Sequence, residues 1–372
     1  MRFELVATCL FGLEHLLGEE IEALGYERIS TIDGRITFVG DEEAVALSNI
    51  FLRYAERVFI KVGSFRAESF EELFEGTRGL NWADYIGRCD AFPVKGHAIK
   101  SKLHSIPDCQ AIVKKAIVRS LTANYGIEQF EETGVKYQIE FFILNDIATL
   151  MIDTSGIALH KRGYRKDALG APIRETLAAA IAATARPREH ELLWDPMCGS
   201  GTIAIEAAMM MKGIAPGRSR HFAAEEFPFI RKKIWTAARE EAFDAEHKTD
   251  FVAFASDIDP DAIALAEKNT RLAGVSDIVK VFRQDARTIS ADGRRGTIVC
   301  NPPYGERLGT LREVEQLYRE IGVHFRSLSP WQVYVITSHP AFERFYGRKA
   351  DKVRKLYNGM LPCYLYQFFK NK

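Results

Sequence analysis

The chain predicts an α/β fold: a seven-stranded, doubly wound sheet in its back half, with two α+β units ahead of it. Three observations carry this expectation. From residue 192 onward, short apolar and partly β-branched runs alternate with helix-period segments, the pattern of a parallel sheet with crossover helices. Four of those runs end in Asp195, Asp257, Asp285 and Asn301, polar residues at the carboxyl ends where open α/β sheets hold ligands. Before residue 160 the signals differ: strand-like runs joined by Asp33-Gly34 and Asn145-Asp146, between helices opened by acids.

Bulk properties fix the class. At 372 residues the chain is long enough for two or three domains. Hydrophobic content of 47% and charged content of 27% belong to a globular protein and exclude the disordered and fibrous classes. Fifty basic residues balance fifty acidic ones, so a nucleic-acid-binding surface must be local. The six cysteines are scattered with no C-x-x-C pair, so no metal site and no disulfide framework is expected. No apolar run is long enough for a bilayer, and Met1–Leu5 lacks a signal peptide's apolar core, so a cytoplasmic location is expected.

In the first unit, residues 1–58, Phe3–Thr8 reads as a strand. A helix follows from about Gly12, stopped by Gly25, then strand Arg35–Gly40 and a helix opened by Asp41-Glu42-Glu43. The second unit, residues 59–160, opens with strand Val58–Val62 and a helix capped by Ser69, with Glu72 three residues on. Pro93–His104 alternates apolar with basic residues, and Asp108–Arg119 is an amphipathic helix. A hairpin over Lys136–Asp153 completes the unit. Lys95, Lys100, Lys102, Lys114, Lys115 and Arg119 form a candidate phosphate-tracking face; a merely solvated lysine surface has the same composition. Residues 161–185 read as a linker and a helix from Pro172, and the linker's Lys161, Arg162 and Arg165 extend the basic set.

The back unit, residues 186–372, starts with strand Leu192–Asp195. Pro196–Thr202 then turns into helix Ile203–Met211. A charged insertion near Gly213–Lys248 interrupts the rhythm. Strand Phe251–Ser256, helix Pro260–Leu272, strand Val279–Arg283, strand Thr297–Cys300, a helix over 311–328 and strand Val333–Thr337 follow, with an antiparallel pair about Asn358-Gly359 at the end.

The candidate chemistry centres on Asn301-Pro302-Pro303-Tyr304-Gly305. Two prolines fix φ and remove two N–H groups, leaving carbonyl acceptors, an amide and a ring. An exocyclic base amine suits that set. The Asn301 side-chain oxygen and the Pro302 carbonyl can accept its two hydrogens, and Tyr304 can stack on the base, worth roughly 1–3 kcal/mol. A lone tetrad of this kind serves as readily to end a strand. The strand ends ahead of it favour the chemical reading. Gly199 and Gly201 permit close backbone approach, Asp257 or Asp259 suits ribose hydroxyls, Asp285 an adenine amine, and Asp195 a cationic arm. No P-loop lysine follows Gly201 and the full G-x-G-x-x-G is missing. The implied ligand is S-adenosylmethionine.

Asp195–Thr202, Ser256–Asp259 and Asn301–Leu308 resemble the motifs of class I S-adenosylmethionine-dependent methyltransferases acting on exocyclic amines. The wording N-P-P-Y-G-E-R-L resembles the THUMP-domain RNA guanine-N2 methyltransferases of bacteria, 23S ribosomal RNA type, and the likeness covers essentially the whole chain. The resemblance implies a Rossmann-like methyltransferase domain preceded by ferredoxin-like and THUMP domains. It implies Asn301, Pro302 and Tyr304 as the catalytic set. It implies Asp195, Met197, Cys198, Gly199, Gly201, Thr202, Asp257, Ile258, Asp259, Asp285, Ala286 and Asn301 around S-adenosyl-L-methionine. The expected partner is RNA, with ribosomal RNA ahead of tRNA and no membrane. Guanine-N2 transfer to tRNA, adenine-N6 methylation of a nucleic acid and a non-catalytic RNA assembly factor are the competing readings.

Overall fold

A computed structural model describes residues 2–165, 173–303 and 310–369. The front half contains β1 (Phe3–Cys9), α1 (Glu14–Ala23), β2 (Arg28–Ile32), β3 (Arg35–Gly40), α2 (Glu42–Phe51), β4 (Ala55–Arg66), α3 (Phe70–Arg78), β5 (Val94–Ile99), α4 (Ile106–Tyr125), β6 (Ile139–Leu144) and β7 (Ile147–Asp153). Period-two alternation sets the faces. In β1, Phe3, Leu5 and Ala7 are buried while Glu4 points to solvent and pairs with Lys61 at 2.6 Å. Asp41 caps α2 by accepting from the N–H groups of Glu43 and Ala44. Asn145 and Asp146 both take positive φ, as a two-residue hairpin turn requires.

All seven front strands join one sheet in the order β2-β3-β1-β4-β7-β6-β5. The expected division at residue 58 therefore falls inside β4, which pairs with β1 on one edge and β7 on the other. Arg28–Ile32 adds a strand the sequence pattern did not suggest; all five of its residues are exposed, so it carries no buried periodicity.

The back half contains α5 (Glu175–Ala185), β8 (Leu192–Asp195), α6 (Thr202–Met211), α7 (Lys232–Asp244), β9 (Val252–Asp257), α8 (Pro260–Ala273), β10 (Val279–Arg283), β11 (Gly296–Cys300), α9 (Leu311–Ser327), β12 (Gln332–Thr337), α10 (Phe342–Tyr346), β13 (Lys352–Asn358) and β14 (Leu361–Phe368). Helix α5 begins at Glu175 rather than at Pro172, which lies outside the described residues. The sheet order is β10-β9-β8-β11-β12-β14-β13. Strands β8 to β12 run parallel, and β14 is antiparallel to β12. The strand order reverses at β8/β11, the switch point where such sheets open a crevice beyond their carboxyl ends.

The charged insertion is a brace between the halves. Gly217 donates its N–H to the Ile50 carbonyl at 2.8 Å, and a Cβ there would sit 2.6 Å from the Asn49 carbonyl oxygen. Phe227 stacks on Tyr137 at 4.5 Å between centroids. Beneath it, fully buried Glu206 of α6 accepts from the Tyr164 hydroxyl at 3.0 Å and lies 3.6 Å from Arg53 and 3.5 Å from Arg162. The front module is thereby fixed against the helix that leaves β8.

Candidate active site

The turn after β8 is built by three devices. Asp195 is 1% exposed, and its carboxyl accepts from the Met197 N–H at 3.3 Å. Burial pushes that carboxyl well above the usual carboxylate range. Gly199 takes φ +51° and an added Cβ would meet open space, so a ligand can lie directly on the backbone there. Gly201, at φ +78°, starts α6 and packs on Ala266. The Gly199 N–H donates to one Asp257 oxygen at 2.9 Å, tying the β8 turn to the tip of β9, and the other oxygen accepts from the Asp259 N–H at 3.1 Å.

The remaining candidates separate into those that face this crevice and those that support it. Ile258 follows Asp257 with its side chain 57% exposed, an apolar surface suited to an adenine face. Asp259 is the cap of α8, accepting from the Asp261 N–H at 2.9 Å. Thr202 is buried, bonded to Ser200 at 3.0 Å and to an Arg165 nitrogen at 3.1 Å; it shapes the turn. Cys198 is buried, which pushes its thiol up and leaves it a filler, and Met197 is half-buried. Asp285 accepts from the Arg287 backbone and guanidinium at 2.9 Å each, and that pairing holds its carboxyl below the ordinary range. Arg287 reaches on to Glu320 at 2.9 Å. The Ala286 side chain packs into the core.

Asn301 leaves the tip of β11, the strand next to β8. Ile298 is opposite Trp194 and Cys300 opposite Val335, so Asn301 lies about one strand spacing, ~4.8 Å, to the side of the glycine turn. Its side-chain oxygen is buried and has no hydrogen-bond partner among the described residues. An acceptor in that state costs about 1–3 kcal/mol unless a donor arrives from outside. Pro302 is buried beside it, and the Pro303 carbonyl accepts from the Tyr318 hydroxyl at 2.9 Å. Tyr318 also bonds Thr337 at 3.0 Å, so α9 and the end of β12 pin the turn. Tyr304 lies outside the described residues. Tyr318 carried no local signal in the sequence, because it reaches the site from a distant segment; Arg165, expected on the RNA-facing linker, instead supports the turn through Thr202.

A family profile described as RMKL-like, methyltransferase domain, matches residues 162–367, more than half of the chain. The chain belongs to the RMKL-like methyltransferase family. Profiles of the RlmL ferredoxin-like domain and the THUMP domain match residues 4–59 and 67–153. This RMKL-like methyltransferase is 44% identical over 371 residues to "Putative RNA methyltransferase YpsC" of Bacillus subtilis, covering 99% of this chain and 96% of that protein. It is 33% identical over 378 residues to "Ribosomal RNA large subunit methyltransferase K/L" of Syntrophotalea carbinolica, covering 97% of this chain but 53% of that one. The chain thus spans about half the length of its K/L relatives. Among solved structures, a possible methylase from Clostridium difficile aligns with a TM-score of 0.96 at 47% identity, covering 100% of this chain and 99% of that one. SMU.472, described as a putative methyltransferase complexed with SAH, aligns at 0.92 and 41% identity, with 100% and 99% coverage.

In this RMKL-like methyltransferase the basic residues divide sharply. Arg162 is not available to RNA: its side chain is 2% exposed, lies 3.5 Å from Glu206, and donates to the carbonyls of Leu159 and Arg53. Arg165 is likewise structural, 11% exposed and held by Glu175 at 2.9 Å. Lys95 pairs with Glu140 at 3.2 Å, Lys102 pairs with Glu68, and Lys114 pairs with Glu132 over the Phe92 ring. Lys100, Lys115, Arg119 and Lys161 are exposed and carry no ion pair among the described residues. Among the described residues no cluster fits a metal ion, and no helix is long and apolar enough to cross a membrane.

Proposed function

We propose that this methyltransferase transfers a methyl group from S-adenosylmethionine to the exocyclic N2 amine of a guanine in RNA, with 23S ribosomal RNA ahead of tRNA. The observation that carries the reading is the buried, partnerless Asn301 oxygen, one strand from the glycine turn. The names of the K/L and YpsC relatives support RNA as substrate, and the SAH bound to SMU.472 supports the cofactor.

The residues fit that cofactor. Burial raises the Asp195 carboxyl, and a cationic amino group beside it would offset that burial. Asp257 keeps lone pairs for two ribose hydroxyls beyond the two N–H groups it accepts. Ile258 covers a base face and the open backbone at Gly199 admits the arm. Once bound, the cofactor supplies an electrophilic methyl on a sulfonium. The chain's own work is alignment. Asn301 accepts one amine hydrogen and the Pro302 carbonyl the other, which turns the nitrogen lone pair out of conjugation and toward the crevice. Positioning and preorganised acceptors supply most of the acceleration. Alkylation makes the nitrogen acidic, so its proton leaves to water without a dedicated base. The front module, held rigidly through Glu206, presents the RNA.

Purified protein, labelled S-adenosylmethionine and RNA from cells lacking the enzyme test this, with digestion to nucleosides. Label in N2-methylguanosine is expected. Label in N6-methyladenosine overturns the guanine assignment, and cofactor binding without any labelled nucleoside supports the assembly-factor reading.

A further inference from the structure

The β13–β14 hairpin projects past the catalytic edge of the sheet. Thr337, the last residue of β12, pairs with Tyr364, yet the hairpin continues outward to the Asn358–Leu361 pair. Three further residues at ~3.3 Å each carry its tip about 10 Å beyond the strand ends, two strand spacings from β11. The tip turns at Gly359 with φ +67° and presents Met360, 95% exposed, with Leu361 at 40%. Phe11 of the front module, 51% exposed, joins it by an edge contact with Tyr357 at 5.7 Å. The hairpin thus touches the front module on its way to the tip.

A single exposed apolar side chain at a turn is ordinary. The charge around this one is not. Residues 352–369 contain no acid, and the Arg174 guanidinium lies 3.8 Å from where a Cβ on Gly359 would stand. The Lys355 ammonium lies 5.4 Å from the Tyr357 ring. Apolar side chains at a tip backed by cations match a polyanion whose bases must be separated, since wedges of Met, Leu or Phe between base steps accompany nucleotide distortion.

We infer that the β13–β14 tip, with Met360 at its apex, is a wedge that enters the RNA beside the target nucleotide and stabilises its extruded state. This rests on the RNA reading above. Lys355, the β13 cation nearest the tip, holds a phosphate flanking the opened step, while Asn301 takes the amine roughly 15 Å away, the tip's advance combined with two strand spacings.

Met360→Ser and Met360→Leu separate the possibilities, assayed on RNA from cells lacking the enzyme. The side chain is almost fully exposed, so both should melt like wild type. Expected is a drop in kcat of roughly 10-fold or more for Met360→Ser, with RNA Kd and S-adenosylmethionine Kd within about twofold of wild type and near-complete recovery in Met360→Leu. Unchanged kcat in Met360→Ser overturns the wedge while leaving the RNA reading intact. Weakened RNA binding at unchanged kcat also overturns it, making the tip a docking contact. Failure of the wild-type protein to methylate any RNA removes the underlying reading and the wedge with it.

Discussion

Replacing Asn301 with alanine tests the site where its physics is unusual. In the free protein the Asn301 side-chain oxygen is buried with no partner among the described residues. Leaving such an acceptor unmade costs about 1–3 kcal/mol, a cost that Asn301→Ala removes and that the small cavity left behind partly offsets. The free variant should therefore melt at or above the wild-type temperature. In the proposed role the same oxygen aligns the amine in the reacting complex, so Asn301→Ala should lower turnover about 10²–10³-fold, or roughly 2.7–4 kcal/mol, the effect of losing one preorganised polar group. Single-turnover rates at saturating RNA and cofactor, calorimetric cofactor affinity and thermal melting together check this. Slow chemistry, near-normal cofactor affinity and an undiminished melting temperature are expected. A melting temperature several degrees lower, or equal losses in affinity and rate, would show that Asn301 holds the fold or the cofactor instead.

Four further outcomes follow from the same geometry. Burial raises the Asp195 carboxyl's folded pKa above its unfolded value, so the native state keeps a proton that the unfolded chain releases, and stability falls as pH rises through and above the ordinary carboxylate range near ~3.9. Cofactor-free Asp195→Asn should thus be more stable than wild type at pH 7, the difference vanishing toward pH 4, while cofactor affinity is lost; melting curves across pH and calorimetry check both. Tyr318→Phe leaves the Pro303 carbonyl without its donor and should lower kcat about tenfold, the scale of a ~1–1.5 kcal/mol hydrogen bond, with cofactor Kd unchanged. Lys115→Ala with Arg119→Ala should reduce the slope of log RNA affinity against log salt by ~0.7–0.9 for each phosphate no longer neutralised, read by filter binding across a salt series. Arg162→Ala strips a partner from buried Glu206 and should destabilise the protein by about 3–5 kcal/mol, measured by denaturant unfolding, without a change in that salt slope.

The sequence shows the catalytic half more fully than the front half, and the reason is periodicity. Buried parallel strands such as Ile298–Cys300 are apolar runs with abrupt polar ends, so the tips that carry Asp195, Asp257 and Asn301 stand out without any tertiary information. The exposed edge strand Arg28–Ile32 has no buried face and left no pattern. Charged residues misled most. Arg162 and Arg165 look like phosphate ligands in the run Lys161–Lys166, and only the fold reveals Glu206 and Glu175 meeting them from other helices. Lys114 and Lys102 are engaged in the same way by Glu132 and Glu68. Asp259 obeys the local rule for a helix cap more closely than the rule for a ligand, and Tyr318 supports the Asn301 turn from a helix whose sequence announces only an amphipathic face. The insertion after Gly213 broke the α/β rhythm because it serves the interface between the halves rather than the sheet.

The proposed reaction methylates a guanine amine at the tip of β11. Its most direct test is mass spectrometry of RNA nucleosides and fragments from cells lacking the protein, complemented with either the wild-type chain or Asn301→Ala. One N2-methylguanosine should disappear from the RNA, return with the wild-type chain and stay absent with the variant. Full return with Asn301→Ala, or an unchanged N2-methylguanosine level in the absence of the protein, would contradict it.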